Sequence, residues 1–333
     1  MSKLHIDLVN WYNQNKRNLA FRLNQDPYRV WISEIMAQQT QIDTLIPYYE
    51  RWMHQYPILS DLFVAEEEDL YRLWEGLGYY SRVRNIQKAA LQIKNEYASI
   101  FPNTKDAIQT LPGIGDYTAA AIASICFNEK QAAIDGNVKR VMSRLFLWDE
   151  TILKKEFNKQ IKNKIETWMN DVNPGDLTQA LMELGALICT KQAKCEHCPL
   201  KPHCLALQNN VVDAYPKAAK QLTKQTEQID VVLLINKNNE FALTLDHSDS
   251  LMQGYYRLPS LKQVNITDAK KDGTLRHVFS HKIWEVNFYI AKVKQNHDFK
   301  LVNYDESLKL PIITLHRKWL KQKSSLIQSQ NTF

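Results

Sequence analysis

Four cysteines, Cys189, Cys195, Cys198 and Cys204, follow one another with five, two and five residues between them. Four thiolates in one short stretch can close a loop around a single metal centre, and their softness suits a structural zinc or an iron–sulfur cluster equally. Such a loop would also offer Lys191, Lys194 and Lys201 to phosphates. The fifth cysteine, Cys126, stands in the small apolar run 119–127 and reads as a buried small residue rather than a further ligand.

Two carboxylates from distant segments suggest acid–base work. A helix is expected over 30–41, entered after Asp26-Pro27-Tyr28, in which steps of four and three place Glu34, Gln38 and Gln41 on one face with Gln39 adjacent. Trp31, Ile32 and Ile35 flank Glu34, and a carboxyl among apolar neighbours has a raised pKa and can donate a proton. Asp135 immediately precedes a helix expected over 138–145, where Asp is also simply a favoured N-cap. One carboxyl giving a proton and another facing positive charge on a sugar would suit cleavage of a glycosidic bond. Between them in sequence lies Leu111-Pro112-Gly113-Ile114-Gly115-Asp116-Tyr117-Thr118. Gly113 and Gly115 free the backbone to turn and leave N–H groups open at the start of the next helix, an arrangement that binds phosphate without reading bases. A plain helix–helix turn has the same local signature.

The elements that must position these groups divide the chain in two. Up to residue 207 apolar residues recur at helical spacing, as in Leu4, Leu8, Trp11 and Tyr12, in Leu70, Leu73, Trp74 and Leu77, and in Leu177, Ala180, Leu181 and Leu184. The expected first domain is therefore all-α over 1–207, with the cysteine loop 189–204 at its end. Residues 208–228 are polar and Lys/Gln-rich and read as a linker. From 229 the period changes to that of strands: 229–235, a turn at Asn236-Lys237-Asn238-Asn239, and 241–245 form an expected hairpin. A further strand over 283–293 and a closing helix over 314–320 make 229–333 a smaller α+β domain.

With 333 residues, 44% apolar and 23% charged, the chain has the composition of a folded protein with two cores. Lys and Arg number 42 against 36 acidic residues, a net charge of +6, and Arg82, Arg84, Lys88 and Lys94 cluster, as do Lys139, Arg140 and Arg144. That excess fits nucleic acid, and it fits solvated helix faces as well. Asp7, Asn10, Asn13 and Asn15 interrupt the N-terminus, so no secretory signal is expected, and the run 119–127 is too short to cross a bilayer. The expectation is a cytoplasmic, nucleoid-associated protein with reduced thiols and no membrane partner.

In this order the motifs resemble the helix-hairpin-helix base-excision DNA glycosylases that carry an iron–sulfur cluster, and most closely the MutY family of adenine DNA glycosylases. Gln38-Gln39-Thr40-Gln41, Ile46-Pro47-Tyr48-Tyr49 and Trp74-Glu75-Gly76-Leu77-Gly78-Tyr79-Tyr80-Ser81-Arg82 add to the match, which runs over most of the chain. The resemblance implies a monomer that binds double-stranded DNA, flips out adenine opposite 8-oxoguanine or guanine, and cuts its N-glycosidic bond. It implies that Glu34 protonates the adenine ring and that Asp135 stabilises the oxocarbenium-like sugar, with Tyr117 and Asn137 completing the group. Related lyases have a lysine where this chain has Tyr117; a phenol cannot form a Schiff base, so a monofunctional enzyme is implied.

By the same likeness Arg22, Gln38, Gln39, Thr40, Tyr79, Ser81, Arg82, Gly113 and Gly115 contact DNA, with Gln39 and Tyr79 inserting into the stack. The four cysteines would hold one [4Fe–4S] cluster, and Phe279, Ser280 and His281 would read the lesion from a Nudix-like second domain. That domain carries no Gly-x5-Glu-x7-Arg-Glu pattern, so nucleotide hydrolysis is not expected there. The chain departs from the family pattern in three places. The first cysteine gap is five residues rather than six, the stretch between Pro259 and Phe279 is short, and Phe21 and Ala37 replace larger residues. The rivals are a lyase acting on oxidised pyrimidines and a non-catalytic DNA-binding protein with a structural zinc.

Overall fold

The computed structural model describes residues 3–149, 154–217, 224–245, 252–264, 266, 268–279, 282–292 and 299–328. Several of its helices start where local chemistry says they should. Asp26 accepts hydrogen bonds from the N–H groups of Tyr28 and Arg29 and Pro27 occupies the first turn; Asn173 does the same for Asp176, followed by Pro174. In chain order the helices are α1 (Leu4–Asn15), α2 (Pro27–Ala37), α3 (Ile42–Gln55), α4 (Glu67–Trp74), α5 (Ser81–Glu96), α6 (Lys105–Gln109), α7 (Asp116–Phe127), α8 (Gly136–Phe146), α9 (Lys154–Trp168) and α10 (Pro174–Leu187). One expectation needs correcting. The helix over 30–41 stops at Ala37, because Gln38 leaves helical geometry and Gln39 takes a left-handed φ of 57°. Gln38 and Gln41 therefore do not continue the face of Glu34.

Two compact units emerge, Met1–Phe63 with Asn85–Lys220, and Val64–Arg84 with Gln221–Phe333. The division expected from sequence, 1–207, 208–228 and 229–333, differs from this in placing 64–84 with the helical part and in treating all of 208–228 as a linker.

In the first unit α10 is the central post, packing on α1, α7 and α8. Its Leu177, Ala180, Leu181 and Leu184 share a core with Leu8 and Tyr12 of α1, Val138 and Met142 of α8, and Ile161 and Ile165 of α9. Two backbones approach closely at Gly185, where an added Cβ would lie 2.6 Å from Cβ of Asn137. Only a glycine allows that approach, and it brings α10 up against the start of α8.

The second unit contains a mixed sheet. Strands β1 (Gln225–Ile235), β2 (Phe241–Leu245), β3 (Tyr256–Arg257), β4 (Lys270–Val278), β5 (Lys282–Lys292) and β6 (Lys300–Val302) lie in the order β3-β2-β1-β5-β4, with β6 also on β2. β1 and β2 form the expected antiparallel hairpin, and β1 pairs in parallel with β5 from Gln225↔Lys282 to Ile235↔Lys292. The helix Thr314–Gln322 covers one face, with Trp319 stacked on Phe288 at 4.6 Å between ring centroids. Between Pro259 and β4 the described residues hold one helix, the four-residue Leu261–Val264. Within this unit α4 and the loop after it are tied down: Tyr71 stacks on Tyr255, Glu75 pairs with Arg317, and Arg84 donates to the Gln253 carbonyl at 2.7 Å.

Candidate active site

A cavity of about 1030 Å³ opens in the first unit, and Arg22, Glu34, Gln38, Gln39, Thr40, Tyr117, Asp135 and Asn137 all line it. Residues up to 115 positions apart, from Arg22 to Asn137, thus meet at one place. Glu34 enters from α2 and Tyr117 from the first turn of α7; the Tyr117 hydroxyl donates to Oε2 of Glu34 at 2.9 Å. Burial pushes the Glu34 carboxyl up, the Tyr117 hydrogen bond partly opposes this, and the nearby charge of Asp135 adds to the rise, leaving it at about 7. Burial pushes the Tyr117 phenol well above its ordinary value, so it stays a donor.

Asp135 performs two tasks with two oxygens. Oδ1 caps α8 by accepting from the Val138 N–H at 2.7 Å, and Oδ2 accepts from the Asn137 amide at 2.9 Å. Arg140 then fixes Asn137 by donating Nη2 to its Oδ1 at 2.8 Å, and it also donates to the carbonyls of Gly185 and Cys189. Gln38 reaches Thr118 Oγ1 at 3.3 Å, whereas Gln39 is exposed in its left-handed conformation. The turn into α7 is built as the glycines require: Gly113 has φ of 80° and a Cβ there would meet Asn85 at 2.6 Å, while nothing stands within 4 Å of a Cβ on Gly115. The open backbone at Gly115 is where a phosphate can approach the helix N-terminus.

Other expected DNA contacts fall in the second unit. Tyr79 has a left-handed φ of 50° and is 40% exposed, and Ser81 is exposed at the start of α5. Arg82 is instead buried, its Nη2 donating to the Gly78 carbonyl at 2.9 Å and its guanidinium lying over the Trp74 ring. It shapes the loop that presents Tyr79. Phe279 lies just past the end of β4 and packs edge-on against Trp284, with its N–H on the Lys282 carbonyl at 2.8 Å. Ser280 and His281 lie outside the described residues.

Cys189, Cys195, Cys198 and Cys204 border one small cavity of about 30 Å³ with Arg144 and Lys201. The donor set is four thiols and fits a thiophilic group. Among the described residues no three His, Cys, Asp or Glu side chains are already closed around a single-ion site. Cys126 is apart from them on α7, and burial pushes its thiol up to about 12. Arg144 is the hub of the cysteine loop: buried, it donates to the carbonyls of Thr190, Val212 and Tyr215 at 2.6, 3.0 and 2.9 Å and reaches Cys189 Sγ at 3.5 Å. Part of the expected linker is thus pinned to the first unit. Truncation by Arg144→Met would leave these carbonyls unpaired, and urea unfolding is expected to show a loss of roughly 3–5 kcal/mol. The exposed Lys155→Met is expected to change stability by less than about 0.5 kcal/mol in the same measurement.

Nothing local marks Arg17, Glu183 or Gly185 in the sequence, and Arg140 shows there only as one of a basic cluster, yet they shape the cavity wall or hold its residues.

A helical unit with a glycine turn into α7, an acid in a deep pocket and a capping aspartate beside it defines a helix-hairpin-helix DNA glycosylase. Residues 32–167 match the HhH-GPD superfamily of base excision DNA repair proteins. The chain is 33% identical over 312 residues to an adenine DNA glycosylase of Buchnera aphidicola subsp. Acyrthosiphon pisum, covering 89% of each. It is 42% identical over 212 residues to the adenine DNA glycosylase of Mus musculus, 61% of this chain and 41% of that protein. Among solved structures, a thermostable thymine-DNA glycosylase superposes with a TM-score of 0.55 at 24% identity, over 62% of this chain and 95% of that one. An endonuclease III trapped as a covalent intermediate with DNA gives 0.51 at 22%, over 63% and 99%, and both share the fold. The chain belongs to the adenine DNA glycosylase family.

Proposed function

We propose that this chain excises adenine from duplex DNA, where it lies opposite 8-oxoguanine and less specifically opposite guanine, as a monomeric, monofunctional glycosylase. The observation that carries this is the Glu34–Tyr117 pair, a carboxyl at about 7 hydrogen-bonded to a phenol inside a cavity large enough for an extruded base. Near neutral pH a substantial share of Glu34 holds a proton. Donated to a ring nitrogen, that proton lets the base leave with the electron pair of the N-glycosidic bond. The carboxylate of Asp135 faces the positive charge that develops on the sugar, and a water supplies the hydroxyl that replaces the base, its remaining proton going to the carboxylate left on Glu34. Tyr117 orients Glu34 and offers no amine to the sugar, so an abasic site remains and the strand is intact.

The four cysteines would hold one [4Fe–4S] cluster, which supplies four iron–thiolate bonds that close the loop 189–204. The residues beside it do the rest: Arg144 binds the loop's carbonyls, and Lys191, Lys194 and Lys201 present charge to phosphates. The second unit is read as Nudix-like, with Phe279, Ser280 and His281 between β4 and β5 contacting the 8-oxoguanine left opposite the adenine. The protein is read as cytoplasmic and nucleoid-associated.

The test is incubation with duplexes holding adenine opposite 8-oxoguanine, guanine or thymine, followed by alkali. Strand cleavage only after alkali, fastest opposite 8-oxoguanine and absent opposite thymine, is the expected result. Breaks before alkali would point to a lyase, and equal rates opposite all three bases would remove the lesion-reading role.

A further inference from the structure

Glu183 projects from α10 with its side chain fully buried in the wall of the same cavity. Arg17 donates its backbone N–H and Nε to Oε1 at 3.0 and 2.8 Å and its Nη2 to Oε2 at 2.8 Å. Arg22 adds Nη2 to Oε2 at 2.9 Å, lies over the Tyr12 ring, and has a buried Nη1 without a hydrogen-bond partner. One carboxylate therefore holds two guanidinium groups, both reaching it from the opposite end of the unit's sequence. Glu183 is fully buried while the Arg17 and Arg22 side chains stay 30% and 14% exposed; burying an ionised carboxylate costs much of what its partners return, so stability alone does not account for it here. What the three groups do supply is a fixed field. With Glu183 the three side chains sum to one net positive charge, and without it to two; of the three, Arg22 is the one whose charge acts on Glu34, and all four groups border the same cavity.

We propose that Glu183 is a positioning residue for excision, which locks Arg17 and Arg22 against the pocket wall and cancels enough of their charge for Glu34 to serve as an acid. The inference rests on the reading of Glu34 as that acid. Glu34 faces Tyr117, Asp135, Arg22 and Cys126. Arg17 faces Glu183, with Asp43 acting at longer range, and Arg22 faces Glu183 and Tyr12; Asp176 acts on Tyr12, and Lys16 lies over the Tyr12 ring. Burial would push the Glu183 carboxyl up, but Arg17 and Arg22 hold it at about 2, so its charge is constant over the working range of pH.

Removing that charge leaves the arginine field uncompensated, which favours ionised Glu34 and moves its titration to lower pH. The experiment is single-turnover excision of adenine opposite 8-oxoguanine between about pH 5.5 and 9, with thermal melting as a check on folding. Wild type is expected to lose rate on the alkaline side as Glu34 gives up its proton. Glu183→Gln is expected to shift this limb down by roughly half to one pH unit, lowering the rate at pH 7.5 by about 3–10-fold and the rate at pH 5.5 by less than about 2-fold. Glu183→Asp, which keeps the charge, is expected to keep the limb in place. Arg22→Gln removes a positive charge and should move the limb upward, and it decides the matter if Glu183→Gln does not fold. A rate lowered equally at every pH, with the limb unmoved in these variants, makes Glu183 a scaffold residue and overturns the proposal alone. No alkaline limb in wild type, or one that survives in Glu34→Gln, overturns the acid reading and the proposal with it.

Discussion

Glu34→Gln is expected to reduce adenine excision by roughly 10²–10⁴-fold while making the protein more stable at pH 8. Glutamine keeps the shape of the side chain and an oxygen to accept from Tyr117, but it has no proton to give to the base. The stability gain follows from the raised carboxyl. Its ordinary value is 4.5 and its value in the fold is about 7, so ionising it works against the folded state. That penalty is absent below about 4.5, grows through the interval and is complete above about 7. Because Glu34 is partly exposed to the cavity, solvent reduces the effect, and a gain of roughly 1–3 kcal/mol at pH 8 is expected, vanishing near pH 4.5. Urea unfolding at the two pH values, beside single-turnover rates, checks both halves. Full activity in this variant would remove Glu34 from the mechanism, and equal stability at both pH values would contradict the cause assigned to its raised pKa.

The second large effect separates capping from catalysis at Asp135. Asparagine caps helices about as well as aspartate, so Asp135→Asn keeps the bond to the Val138 N–H. It sacrifices one contact, because an amide now meets the Asn137 amide that donated to Oδ2, and the stability loss should be about 1 kcal/mol. If Asp135 were only a cap, excision would follow that small change. As the group that meets positive charge on the sugar, it is expected to lose roughly 10²–10³-fold in single-turnover rate with its melting temperature nearly unchanged. A rate within about threefold of wild type would reduce Asp135 to its capping role.

What the sequence made legible, and what it hid, divides along a physical line. Features fixed by neighbours in the chain could be read: the β1–β2 hairpin about Asn236, the clustering of the four cysteines, and a helix entered at Asp26-Pro27-Tyr28, although not its start at Pro27 or its cap at Asp26. The acid at Glu34 was legible because apolar neighbours on α2 already imply desolvation. The end of that helix was not, since Gln38-Gln39-Thr40-Gln41 is compatible with a helix and the contact of Gln38 with Thr118 at the turn comes from 80 residues away. Arg82 looked like a surface cation for the same reason: its carbonyl partners at Leu77 and Gly78 become acceptors only once the loop has closed around it. The Glu183–Arg17 pair spans 166 residues, and the segment 64–84 belongs with a sheet that starts at Gln225. No periodicity or motif encodes such pairings.

Gly185 carries one more implication, concerning how much change this fold can absorb. Alanine is ordinarily the mildest replacement for a glycine inside a helix and favours the helix by about 1 kcal/mol. Here the new methyl would fall 2.6 Å from Cβ of Asn137, whose amide is held between Asp135 and Arg140. The clearance between the scaffold and the chemistry is less than one methyl group wide, so the shift that a Cβ forces falls on the packing of α10 against α8 and on the placing of Asn137 together. Around this contact, tolerance to mutation is set by folding and function at once.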